Sequence, residues 1–173
     1  MVLSFSITLN ELDEGIKKSV ENASRYLNDA SFLFQHRRYE SSILLSMLSF
    51  EESGKALLAI DYKRKKKEIT KTQWAKKFCS HTVKNLASRR RNWQDVGFTP
   101  RFPDWDKALA KYDQEWKQVF TYADYDFRNH KWTTPLNPKD FGLTSAESFC
   151  KNATSHAAEA LEAVMKRLHT QCT

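Results

Sequence analysis

Residues 39–62 read YESSILLSMLSFEESGKALLAIDY, a long apolar run with three charges, Glu51, Glu52 and Lys55, set into its middle. At about 100° per residue, Leu44, Leu48, Leu58 and Tyr62 fall on one helical stripe, and Glu51 and Lys55 fall inside it. Ile43, Met47, Phe50 and Leu57 cover a second side, and Leu45, Ala56 and Ala59 a third. A helix that is apolar all round belongs in the middle of a bundle. An acid and a base placed there must pair, because an unpaired buried charge is very costly. Glu51 precedes Lys55 by four residues, the favourable order for such a pair. Three readings stand: an internal salt bridge that fixes packing, a polar site built into the core, or a pair on the surface.

The rest of the chain agrees with a helical fold. Its 173 residues are enough for one domain with a proper core, and a single domain over 1–173 is expected. Only four Gly and four Pro occur, so turn signals are sparse and periodic segments long. The three cysteines, Cys79, Cys150 and Cys172, are widely spaced and match no zinc or redox motif, which suits a reducing cytoplasm. The opening MVLSFSITLNELDEG has no basic n-region and turns acidic early, unlike a secretory signal. No apolar stretch is long enough to span a membrane.

Charge is strongly segregated. Between Lys63 and Arg91 stand twelve Lys or Arg and one acid, Glu68, while the chain as a whole carries +7. The cluster is read as a basic patch aimed at a polyanion, RNA or a ribonucleoprotein, through Lys63, Arg64, Lys65, Lys66, Lys67, Lys77 and Arg91. The bland alternative is a solvated helix end, where cations are favoured.

Five helices are expected. The first opens at Thr8 with a capping box to Glu11 and runs to about Arg37, its stripe being Leu9, Leu12, Ile16, Val20, Ala23, Leu27, Ala30 and Phe34. The second is the central helix, antiparallel to the first across a tight turn near 36–39. The third covers roughly Lys71 to Trp93. Trp74, Ala75, Phe78, Cys79, Thr82 and Leu86 form its buried face, with Lys77, Lys84 and Arg91 on the opposite one. The fourth starts near Asp104. An irregular stretch over 121–142 follows, and the fifth helix opens with a second capping box, Thr144 to Glu147, and runs to about His169.

His81, at the rim of the third helix with Lys84 and Asn85 a turn on, has the reference pKa of a group able to act as acid or base near neutrality. A satisfied structural histidine is the bland reading. His130, in the polar stretch Asp126–Phe127–Arg128–Asn129–His130, competes for the same role, whereas His36, His156 and His169 read as structural or solvated. No paired Glu-x-x-His motif, Gly-rich phosphate loop or nucleophile elbow occurs, so no metal and no cofactor is expected. The aromatic group Tyr122, Tyr125, Phe127 and Trp132 is read either as a stacking platform for bases or as a plug at the end of the bundle.

The block Ser49-Phe50-Glu51-Glu52-Ser53-Gly54-Lys55-Ala56, then His81-x-x-Lys84, then Tyr122-Ala-Asp124-Tyr-Asp126 with Trp132 and Pro135, resembles the AbiV family of abortive-infection proteins. The likeness spans about residues 10 to 168. It implies an all-α, HEPN-like bundle of about five helices, a homodimer, and a role in bacterial phage defence. Many HEPN proteins are metal-independent ribonucleases marked by an Arg followed after four to six residues by a His; no Arg here has a His at that distance. The resemblance implies an effector acting on RNA or the translation machinery. His81 would be acid or base, Lys55 or Lys84 would face the phosphate, Glu51 would orient Lys55, and Arg128 or His130 would contribute from the loop. Glu52, Tyr122, Asp124 and Asp126 would support the site. The alternative is a non-catalytic protein that docks on RNA, the ribosome or a phage protein through its basic surface.

Overall fold

Helix α1 (Leu9–Gln35) starts where the sequence places a cap: the Thr8 side chain accepts from the Glu11 amide, and the Glu11 carboxylate accepts from the Thr8 amide at 2.8 Å. The computed structural model describes residues 6–66, 69–95, 111, 124–126, 131–133 and 146–170. Leu12, Ile16, Ser19, Ala23 and Ala30 form the buried stripe of α1. The helix ends in a Schellman turn, with the Arg38 amide on the Leu33 carbonyl and the Arg37 amide on that of Phe34. Arg37 takes the left-handed conformation (φ 57°) that this turn requires. The chain then reverses at once into α2 (Tyr39–Arg64).

Small residues let α1 and α2 approach closely. The Ser42 hydroxyl donates to the Ala30 carbonyl at 2.7 Å, and that of Ser49 donates to Ala23 at 2.8 Å. Rising numbers on one helix meet falling numbers on the other, so the pair is antiparallel as expected. The seven-residue spacing on both sides keeps one seam in register over two turns. Helix α2 also packs against α3 (His81–Asp95) and α4 (Ala146–His169). It is therefore the central helix of an all-α bundle. Its buried positions include Ile43, Phe50, Leu57 and Ile60, but also Ser42, Ser46, Ser49 and Ser53. Each of these hydroxyls has a hydrogen-bond partner, so none is a buried donor left over.

The larger core cluster joins Leu12 and Ile16 of α1 to Leu57 and Ile60 of α2, Ile69, Phe78 and Val164. Helix α4 faces α2 with Cys150, Ala157, Ala160, Ala163 and Val164, all buried. Its far end is tied down by Arg167, whose guanidinium donates to Asp61 at 2.7 Å.

The third helical segment departs from expectation. Strand β1 (Ser6–Ile7) pairs antiparallel with β2 (Ile69–Thr70), and Thr70 with Gln73 forms a capping box that starts a helical turn at Lys71. Trp74–Phe78 continues as a π-helical turn, the helix breaks at Cys79 and Ser80, and α3 starts afresh on a Ser80 hydroxyl that accepts from the Val83 amide. A π turn is wider than an α turn and a new cap resets the phase, so the face read through Lys71–Trp93 does not run through. Phe78 is buried, but Trp74, Ala75 and Cys79 are exposed, and Lys84 points inward rather than outward.

Within the stretch read as irregular, β3 (Asp124–Asp126) and β4 (Lys131–Thr133) form an antiparallel hairpin with Tyr125 opposite Trp132. Of the expected fourth helix only Lys111, which is helical, lies among the described residues, and the Thr144 cap falls outside them.

Candidate functional site: a buried carboxylate holding a histidine

Glu51 faces the first turn of α3. The residue is 3% exposed, and its carboxylate accepts from His81 Nδ1 at 2.7 Å, with Lys84 Nζ at 3.5 Å on the same oxygen. Lys84 is itself buried, so its charge offsets that of Glu51 where water cannot. The N-terminus of α3 adds a favourable partial positive charge beside the acid. Because a carboxylate only accepts, the neutral imidazole must carry its proton on Nδ1, which leaves the Nε2 lone pair as the basic position. The His81 side chain remains 43% exposed. The arrangement is a fixed tautomer on a partly open ring, which is what acid–base work asks of a histidine.

Two residues that the sequence reading left without a role make this contact possible. A Cβ on Gly54 would lie 1.9 Å from the Lys84 carbonyl oxygen and 2.8 Å from the Ser88 hydroxyl. Only glycine lets α3 come so near α2. The Ser88 hydroxyl then donates to the Phe50 carbonyl at 2.7 Å and pins the two helices together. A lone Gly inside a strongly helical run is a signal for such an approach. Asn85, buried next to Lys84 in sequence, has an Oδ1 with no hydrogen-bond partner among the described residues.

The expected pairing of Glu51 with Lys55 gives way to two separate ones. The Lys55 ammonium donates to Glu52 at 2.5 Å, three residues back, while Glu51 takes His81 and Lys84. Adjacent helical residues point about 100° apart, so the two acids face different neighbours. Glu52 and Lys55 line a cleft of about 420 Å³ between α1, α2 and the π turn, together with Glu11, Gly15, Ser19, Trp74 and Phe78. Lys55 is thus held by Glu52, and Glu51 orients His81 instead.

Among the basic residues, Arg64, Lys65, Lys66 and Lys77 are exposed, with Lys77 Nζ also 5.3 Å from the centre of the Tyr62 ring. Lys63 instead bridges to Asp13 at 2.5 Å, tying the end of α2 to α1. Lys67, Tyr122, Arg128 and His130, and the side chains of Arg91, Asp124 and Asp126, lie outside the described residues. No helix among the described residues is long and apolar enough to cross a membrane.

No curated protein and no solved structure matches the chain. The family model described as AbiV, a HEPN family, matches residues 11–154. That span takes in the Glu51–Lys55 block, the His81–Lys84 turn and the start of α4. On that match the chain belongs to the AbiV family of HEPN-type abortive-infection proteins.

Proposed function

We propose that this protein is a phage-defence effector that acts on RNA or on the translation machinery, with His81 as its acid–base group. The observation that carries this reading is the 2.7 Å contact from a buried carboxylate to Nδ1 of a partly exposed imidazole. A structural histidine needs no buried acid and no buried lysine to balance that acid, whereas a general base gains from both. Nε2 would take the proton of a ribose 2′-hydroxyl as it attacks the adjacent phosphorus, and the same residue would return a proton to the leaving 5′-oxygen. The products are a 2′,3′-cyclic phosphate and a free 5′-hydroxyl. Lys84 is buried against Glu51 and serves as its counter-charge rather than facing the phosphate. A homodimer would supply further cations across its interface.

The test is toxicity on expression in bacteria and cleavage of RNA by the pure protein in EDTA. His81→Ala should lower the cleavage rate by roughly 10²-fold or more, the usual scale for a lost acid–base group. Intact RNA with wild-type protein, together with full toxicity of His81→Ala, would overturn the catalytic reading. A non-catalytic binder is the second reading, favoured by the exposed run Arg64, Lys65 and Lys66. Replacing these by Gln should then weaken RNA or ribosome binding and flatten its salt dependence.

A further inference from the structure

We propose that the cleft between α1, α2 and the π turn is a pocket for an unpaired nucleobase. The proposal deepens the RNA reading above, on which its choice of ligand rests. The cleft has an apolar floor of Leu12, Ala59 and Phe78, and its volume of about 420 Å³ is in the range of small-molecule sites. Its wall is Trp74. Phe78 covers one face of the indole, with centroids 4.8 Å apart and planes 6° from parallel, and 37% of Trp74 stays exposed. This is an aromatic platform already stiffened by stacking, the element on which single-stranded bases are held.

The charges of the lining select a neutral ligand. Glu14 is paired with Lys18 at 2.6 Å, Glu52 with Lys55 at 2.5 Å, and Glu11 is engaged by Thr8. A phosphate placed among three carboxylates would be repelled, and a cation would find each of them engaged. A planar, uncharged heterocycle with its own N–H donors fits. The phosphates of the strand would stay outside, on the exposed Lys76 and Lys77 of the same π turn.

Gly15 is an independent sign that the cleft is kept open. It lies inside α1, where Gly costs about 1 kcal/mol relative to Ala. Yet a Cβ built there meets nothing within 4 Å. No close packing demands a glycine at this position, unlike Gly54. What its missing side chain does is leave space in the cleft it lines.

The experiment measures binding of the wild-type chain to single-stranded homopolymer RNA and to the four nucleoside monophosphates, beside Trp74→Ala, Trp74→Phe and Gly15→Leu. Trp74→Ala should weaken binding at least about fivefold, the lower end for losing one stacked base. Trp74→Phe should restore most of it, and the salt slope should be unchanged in both. Gly15→Leu should block the pocket while raising the melting temperature, so its loss of binding cannot be unfolding. Binding of oligomers alone would assign the base to a strand, and equal dependence on Trp74 with monophosphates would assign it to a free nucleotide. Unchanged affinity in Trp74→Ala and Gly15→Leu would overturn the pocket, as would no binding of any probe by wild type. The role of His81 is decided separately, by the toxicity of His81→Ala.

Discussion

Gly54→Ala is the sharpest perturbation of this bundle because its consequence can be worked from distances. The added methyl would sit 1.9 Å from the Lys84 carbonyl oxygen and 2.7 Å from its carbonyl carbon, both backbone atoms with no rotamer to escape into. To restore ordinary contact near 3.4 Å, the first turn of α3 must retreat by about 1.5 Å. The hydrogen bonds from Ser88 to Phe50, 2.7 Å, and from His81 to Glu51, 2.7 Å, would then pass beyond bonding range. Overpacking costs about 1–3 kcal/mol, a lost buried hydrogen bond about 1 kcal/mol, and a loosened buried ion pair more. Against these stands a gain of about 1 kcal/mol from replacing Gly by Ala in a helix. The net is a destabilisation on the order of 3 kcal/mol, or about 6–12 °C in melting temperature for a chain of this size. Thermal unfolding by circular dichroism reads it directly. The methyl lies between α2 and α3 and not in the cleft, so toxicity that depends on His81 should fall even below the melting transition. A melting temperature equal to or above that of wild type, with toxicity retained, would refute the close approach of α3 and the site built on it.

Three further outcomes follow from the same geometry. Glu51→Leu alone should cost about 3–5 kcal/mol by stranding Lys84, and adding Lys84→Met should recover much of that stability without restoring activity, as denaturant titrations would show. Lys55→Met should cost no more than about 1 kcal/mol, because its partner Glu52 and Lys55 itself are only partly buried; a loss as large as that of Glu51→Leu would contradict the division between the two acids. Burial pushes the Cys150 thiol up, so less of it is thiolate at pH 8. Alkylation followed by peptide mass spectrometry should modify the exposed Cys79 in the native protein and Cys150 only on unfolding.

What could be read in advance was set by local, repeating signals. The Thr8–Glu11 cap, the stripe of α1 and the central place of α2 depend on short spacings that a sequence states openly, although the side of α2 carrying Leu44, Leu48, Lys55, Leu58 and Tyr62 is only partly buried. The presence of an acid in the core was legible too, but its partner was not. Glu51 and Lys55 lie four apart on one helix and satisfied the pairing rule, while the true partners stand thirty and thirty-three residues away on α3. The inward turn of Lys84 was hidden by the π turn over Trp74–Phe78 and the new cap at Ser80. With a continuous helix, Lys77, Lys84 and Arg91 share one outer stripe, and the break moves Lys84 to the inside. The hairpin of β3 and β4 is only three residues a side, too short for alternation to show.

The block Glu51-Glu52-Ser53-Gly54-Lys55 is best understood as two half-sites wound into one helical turn and a half. Consecutive side chains diverge by about 100°, so the two acids cannot share a pocket. Glu51 turns to α3, where burial makes an exact partner necessary, and His81 with Lys84 supplies it. Glu52 turns to the cleft beside α1, where partial exposure lets Lys55 serve, one turn along the same helix. Gly54 stands between them and brings α3 close enough for the first contact. Ser53, buried and bonded to the Ser49 carbonyl, fills the inner side without adding bulk. The block therefore couples the position of the imidazole to the walls of the cleft through a single rigid element. A ligand that moved Lys55 and Glu52 would act on the helix that also holds Glu51, which gives base capture in the cleft a physical route to His81.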